Sequence, residues 1–167
     1  GVSAEVKIEL ARNCLLNQHE EGAAEVMREV MRNAPDNAAM ARAVAVFDQA
    51  GRPQLGRQLA QESRQAVVDL VAAGASKAKQ GDYRGAVVLM TEAVEKLPDN
   101  PAVVFNAAVA VLKCLENIGW EERLGQQAHG LIDTVRRRDP GNPKLPALAG
   151  LHQQILKKYD KTRSRRS

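Results

Sequence analysis

The stretch VVDLVAAGASKAKQGDYRGAVVLMTEAVEKLPDN, residues 67–100, decides the fold class of this chain. Apolar residues recur at helical spacing on both sides of the turn Gly81-Asp82-Tyr83, which predicts two antiparallel helices. Within it, intervals of 12, 4, 3 and 5 residues separate Gly74, Ala86, Met90, Ala93 and Pro98. The glycine and first alanine allow two helices to approach closely, and the methionine fills the space between them. The second alanine leaves room for a neighbouring hairpin, and the proline ends the second helix.

The same spacing recurs, with decreasing quality, along residues 4–140. The first unit keeps all the intervals around a Gln18-His19-Glu20 turn, with Ala11, Ala23, Met27, Val30 and Pro35. The second unit lacks a closing proline and keeps only Gly56, Ala60 and Ser63. The fourth follows a longer turn and keeps Ala128, Ile132, Val135 and Pro140.

This pattern resembles the tetratricopeptide repeat (TPR), although the tryptophan usual in the first helix of that family is absent from every unit. In the best unit, the matching residues are Gly74, Tyr83, Ala86, Met90, Ala93 and Pro98. The resemblance implies antiparallel helical hairpins stacked as a right-handed solenoid, whose first helices line a concave binding surface.

Turn signals along the whole chain predict an all-α fold of about eight to nine helices. The predicted helices span 4–17, 20–33, 37–50, 53–80, 83–97, 101–117, 121–138 and 143–159. No helix breaker lies between Gly56 and Gln80, so one long helix should cross the boundary of units two and three, straight or slightly bent near Ser63–Ala66. We predict a single domain at 1–159, with units at about 4–37, 38–66, 67–100 and 101–142, a capping helix at 143–159 and a basic tail at 160–167.

Proline and Asx residues support these boundaries. A first helical turn accepts proline because its N–H would lack a partner anyway, which suits Pro53, Pro101 and Pro143. Asp36-Asn37 and Asp99-Asn100 supply side-chain caps for the helices that follow.

Composition narrows the functional class. The net charge of +4 comes from the tail: residues 157–167 hold six basic residues and one acidic residue, so they carry +5 and the other 156 residues carry −1. The near-neutral charge of these 156 residues argues against nucleic-acid binding, because proteins with that function usually carry a basic stripe on the fold itself. No run of 18 apolar residues and no signal-peptide pattern are found, so we predict no membrane span. The start Gly-Val-Ser, without Met, indicates a part of a longer protein.

The inward-facing positions of the TPR resemblance define the predicted groove. The site residues are Ile8, Arg12, Arg42, Val46, Gln49, Val71, Lys79, Phe105, Val109 and Lys113, with Leu15, Leu16, Val68, Ala75 and Leu112 among the same positions. Together they read as an apolar floor with basic margins, which fits an amphipathic helix or an extended peptide with some acidic residues. Covering of this floor by the chain itself or by a second copy is the alternative.

One TPR subtype, the carboxylate clamp that holds chaperone C-termini, is disfavoured. It needs Lys, Asn and Arg side chains at positions that are here Ile8, Arg12, Ala43, Val68 and Ala72. Only Arg12 is polar.

No pattern supports an enzyme, a cofactor or a metal site. Gly51–Gln58 lacks the Lys and the Ser/Thr of a phosphate-binding loop. The spacing of the three histidines does not suit metal ligation, and Cys14 and Cys114 belong to no Cys-x-x-Cys pair and are expected to be free thiols. Trp120, the single tryptophan, is a candidate anchor for a partner, and covering a hairpin end is the alternative role.

The leading functional hypothesis is therefore a cytoplasmic, non-enzymatic module of a bacterial protein that binds a protein or peptide partner. These short, degenerate repeats, rich in Ala, Val, Arg and Gln, are similar to the repeats that follow receiver domains in some two-component response regulators. That similarity would make the chain a scaffold in signal transduction. Two alternatives remain open. One is a self-associating module that forms a homodimer through the groove or the Trp120 turn, and the other is an RNA-binding helical repeat that uses the basic tail.

Overall fold

The computed structural model describes residues 2–32, 37–98 and 100–164. Within these ranges the chain forms helices and no strand, which confirms the predicted all-α class. The helices are α1 (Ala4–Leu16), α2 (Glu20–Arg32), α3 (Asn37–Gln49), α4 (Pro53–Lys79), α5 (Tyr83–Lys96), α6 (Pro101–Ile118), α7 (Glu122–Arg138) and α8 (Leu145–Ser164).

The predicted helix starts are explained by the residues that occupy them. Pro53 and Pro101 are the first residues of α4 and α6. The side chain of Asn100 accepts hydrogen bonds from the amides of Ala102 (3.1 Å) and Val103 (3.2 Å), as expected of an N-cap. The predicted caps at Asp36 and Asp99, and the side chain of Asn37, lie outside the described residues.

The turn between α4 and α5 follows from Gly81-Asp82. Gly81 has φ +83°, a left-handed conformation that glycine adopts without a steric penalty. The Asp82 side chain then accepts a hydrogen bond from the amide of Gly85 (2.9 Å) and caps α5. This bond, with help from Lys77, lowers the pKa of the Asp82 carboxyl.

The predicted long helix is confirmed. α4 runs without a break for 27 residues, from Pro53 to Lys79, and so joins the second helix of predicted unit two to the first helix of predicted unit three.

The last helix differs from its prediction at both ends. α8 begins at Leu145 instead of 143, because the Asn142 side chain accepts from the amide of Lys144 (2.9 Å) and holds the preceding residues in a turn. It continues to Ser164 instead of ending at 159, so Lys161 of the predicted tail lies on the helix with Lys157 and Lys158. Lysine and arginine are good helix formers, which explains the extension into the predicted tail. Residues 165–167 of that tail lie outside the described part.

Contacts divide the chain into two compact units, which we describe one at a time; the predicted repeat boundaries and single domain stay predictions. Unit 1 comprises Gly1–Asp69 and Glu95–Leu97. Its core joins α1, α2 and α3 with the start of α4, through Ala11, Met27, Phe47 and Leu59, all at most 1% exposed. Gly56 lets α4 approach α3 closely, because a Cβ at this position would lie 2.9 Å from Cβ of Phe47.

Unit 2 comprises Leu70–Val94 and Pro98–Ser167. Its core is built on α6 and takes in α5, α7 and α8 through Met90, Leu112, Ile132 and Ile155. The signature residues meet here: Ala86, Met90 and Ala93 are buried, and a Cβ at Gly74 would lie 3.0 Å from Cε of Met90. The glycine therefore leaves room for Met90 where α4 and α5 approach each other.

Of the described helices, α6 is the one whose length and composition would suffice to cross a membrane. Half of it is buried inside the protein. Nine of its residues are buried, including Val104, Ala108, Val111 and Cys114, as in the core helix of a soluble protein. Length and composition alone are therefore weak evidence that α6 spans a membrane, and the absence of a membrane span stays a prediction.

Candidate protein-binding surface

The predicted groove positions of unit 2 lie on α4 and α6. Val71, Phe105 and Val109 are half-buried, and all three pack against the same buried cluster. Phe105, Val109 and Lys113 repeat every four residues and so share one face of α6, as Val71, Ala75 and Lys79 do on α4. Leu112 is fully buried and belongs to the core. The outer parts of the three half-buried side chains remain available to a ligand.

The basic margin of unit 2 is only partly free. Lys113 is exposed and donates a hydrogen bond to Oε2 of Glu116 (3.1 Å). Lys79 is also exposed, and no other described residue forms an ion pair with it. Lys79 is therefore the cation of this surface best able to meet a ligand carboxylate.

In unit 1, the predicted floor lies inside the core. Ile8 is 6% and Val46 3% exposed, so little of either side chain is available to a ligand. The helical wheel of α1 does not tell which of its apolar faces turns inward, and packing against α2 and α3 selects the face that carries Ile8. Leu15 is half-buried, and Leu16 and Gln49 are exposed.

The basic margin of unit 1 is balanced by acidic neighbours. Arg12 lies 3.2 Å from Glu9 and Arg42 lies 3.8 Å from Glu5, measured between side-chain nitrogen and oxygen atoms. These acidic residues were left out of the predicted groove. Because exposed ion pairs are weak, they lower the local charge more than they stabilise the fold.

Trp120 covers the end of the α6–α7 hairpin. Its ring lies over Gly125, where an added Cβ would come within 2.4 Å of the indole. It stacks on Tyr159 of α8, with ring centroids 4.7 Å apart, and its Nε1 donates to Glu122 (3.1 Å). The geometry supports the covering role, and the role of partner anchor stays a prediction. Tyr159, the aromatic residue of the basic segment, is engaged by this stack and is not free for a nucleobase.

Next to this turn, Arg84 of α5 forms an ion pair with Glu121. The hydrogen bond from the guanidinium lowers the pKa of the Glu121 carboxyl. Burial raises the pKa of the nearby Cys114 thiol, so this cysteine is a poor nucleophile.

Two histidines face each other between α7 and α8. The rings of His129 and His152 are 6.3 Å apart, and His152 is only 8% exposed. Burial first, and then the neighbouring His129 and Arg136, lower the pKa of His152. In the described part of the chain, no group of three or more His, Cys, Asp or Glu side chains is placed to hold a metal ion.

The structure also exposes apolar residues that the groove prediction did not include. In the described residues, large hydrophobic side chains with high exposure are concentrated on and just before α1, at Val2, Val6, Leu10 and Leu16. The first three are spaced four residues apart, so the sequence carried the signal. It was missed because the resemblance directed attention to the concave positions.

Comparison with protein-family models, curated proteins and solved structures finds no match for this chain. The resemblance to TPR proteins accordingly stays a prediction.

Proposed function

We propose that this chain is a non-enzymatic, TPR-like interaction module that binds a helix or an extended peptide of a partner protein on the α4–α6 surface of unit 2. The observation that carries the proposal is that Val71, Phe105 and Val109 are half-buried against one core cluster, while Lys79 and Lys113 are exposed on the same helix faces. Half-buried apolar side chains beside a packed core gain further burial when a ligand covers them.

The two lysines at the edge of this surface adjust the affinity for a ligand, and apolar burial supplies most of it. A pair between Lys79 and a ligand carboxylate would be solvent-exposed, and such pairs are worth about 0.2–1 kcal/mol, or at most about fivefold in affinity. Lys113 contributes less, because Glu116 already pairs with it. An amphipathic ligand with one acidic residue near Lys79 fits this surface best.

The test uses helical peptides selected from a phage-displayed library against the purified chain. Val109→Arg should weaken binding of the selected peptides by about tenfold or more, because a charged side chain then replaces an apolar contact of this surface. Val88→Arg is the matched control, since Val88 is 65% exposed on α5 and outside this surface. Methyl chemical shifts in NMR should move at Val71 and Val109 on peptide addition. Peptides that bind both variants equally well would contradict the proposal.

The parent protein, its relation to response regulators and its cytoplasmic location stay predictions. They rest on the short, degenerate character of the repeats and on the amino-acid composition.

A further inference from the structure

The outward face of α8 carries lysines whose charge is not neutralised within the described part of the chain. α8 packs against α6 and α7, and Leu148 and Ile155 face the core of unit 2. On its other side, Lys157, Lys158 and Lys161 are exposed, and no described residue forms an ion pair with any of them. Their positive charges are therefore available to an anionic partner.

The three lysines form one arc around the helix. Successive residues of an α-helix are about 100° apart, so Lys157 and Lys158 mark the two edges of this arc. Lys161 lies between them and one turn further along, about 40° from Lys157 and about 60° from Lys158. The middle of the arc is about 140° from the middle of the buried face, where His152 and Ile155 lie, so the arc faces away from the core.

We propose that this lysine arc binds the phosphates of duplex DNA, with α8 lying in the major groove. A helix with its side chains is about 10–12 Å across, and the major groove is about 12 Å wide. Phosphates line both walls of the groove, so lysines about 100° apart around one helix can reach both strands. The binding surface is on α8 and does not involve the α4–α6 surface.

Other polyanions fit this arc less well. A helix that lies on a membrane inserts its apolar face, and the apolar face of α8 is already buried against the core of unit 2. Single strands bind largely by stacking of their bases on aromatic side chains, and Tyr159 is already stacked on Trp120. A duplex keeps its bases stacked inside and presents its phosphates, so it requires no free aromatic residue.

The contact is confined to this end of the chain, which limits its strength and its specificity. Residues outside 157–167 carry a net charge of −1, so they offer no broad basic footprint. Asp160 is the one acidic residue of this segment, and it lies about 60° outside the arc, beside Lys157. Lysines that contact phosphates position a protein on DNA without reading its sequence, so binding should be salt-dependent and independent of base sequence.

The experiment is a fluorescence anisotropy titration of a labelled DNA duplex of about 20 base pairs with the purified chain at several salt concentrations. Replacing Lys157, Lys158 and Lys161 together by alanine should weaken binding about tenfold or more at about 50 mM salt. The slope of log affinity against log salt should fall by about three, one for each phosphate contact. Alanine is the best helix former, so α8 should remain intact, which circular dichroism checks.

The matched control replaces Arg57, Arg64 and Lys144 together by alanine, which removes the same charge from exposed side chains outside the arc. This control should keep the salt slope, and an equal loss in both triple variants would overturn the proposal. Asp160→Asn should strengthen binding, because it removes the negative charge beside the arc. A duplex that stays unbound at low salt would refute the proposal, as would tighter binding to a single strand or to vesicles that contain phosphatidylserine.

Discussion

Alanine placed at three helical glycines should separate close helix approach from simple helix propensity. The same change is made at Gly56, Gly74 and Gly130. A new Cβ would lie 2.9 Å from Cβ of Phe47 and 3.3 Å from the Val44 carbonyl oxygen at the first site. At the second it would lie 3.0–3.3 Å from Cε, Cγ and Sδ of Met90, and at the third it meets nothing within 4 Å.

The magnitudes follow from two opposing effects. Replacing glycine by alanine inside a helix stabilises by about 0.5–1 kcal/mol, and the effect on the unfolded chain is the same at all three sites. Overpacking costs about 1–3 kcal/mol where the neighbours cannot move. Phe47 is fully buried and the Val44 oxygen belongs to the backbone, so Gly56→Ala should destabilise by about 1–2 kcal/mol. Met90 is flexible, so Gly74→Ala should change the free energy of unfolding by less than about 1 kcal/mol.

Gly130→Ala is the internal control and should stabilise the protein by about 0.5–1 kcal/mol. Urea denaturation followed by far-UV circular dichroism measures all three. The order of stability expected is Gly130→Ala, then Gly74→Ala, then Gly56→Ala. If the three substitutions changed stability equally, the close approaches of α3 with α4 and of α4 with α5 would not be as described.

Three further predictions concern unit 2. The pKa of His152 is lowered in the folded state, so the unfolded chain takes up a proton first as the pH falls below 6.5. The free energy of unfolding should therefore decrease below pH 6.5 and level off below the folded-state pKa. His152→Gln should flatten this pH dependence, measured by denaturation at several pH values. Asn100→Ala removes the cap of α6 and should destabilise by about 1 kcal/mol in urea denaturation, whereas Asn100→Asp should retain most of the stability. Tyr159→Ala removes the stacking partner of Trp120 and should shift the fluorescence of this single tryptophan to the red, whereas Tyr83→Ala should not.

Helix boundaries were readable from the sequence because local chemistry fixes them. Proline at the start of α4 and α6, and glycine at position 81, act within one turn of the residue itself. The continuity of α4 was readable for the opposite reason, since nothing in its interior breaks a helix. The end of α8 was misplaced because a cluster of basic residues was taken as a tail, although such residues support a helix.

The surface was less predictable, because it depends on which residues meet across helices. α1 has apolar residues on two faces, and only packing decides that Ile8 is buried while Leu10 is half exposed. The pairing of Arg42 with Glu5 joins residues 37 positions apart, so no local pattern reveals it. The positive charge assigned to the groove from sequence alone is therefore an upper limit, because acidic partners that the sequence does not reveal reduce the charge that a ligand would meet.

The uninterrupted α4 also determines where this chain can be divided. Residues 69 and 70, which belong to different units, lie inside one ladder of backbone hydrogen bonds. A fragment that ends there would leave four carbonyl groups without their helical partners and would fray. Proteases and genetic fusions should therefore find their tolerated sites at the flanking turns near 51 and 81, and an isolated half will need to keep the whole helix to remain folded.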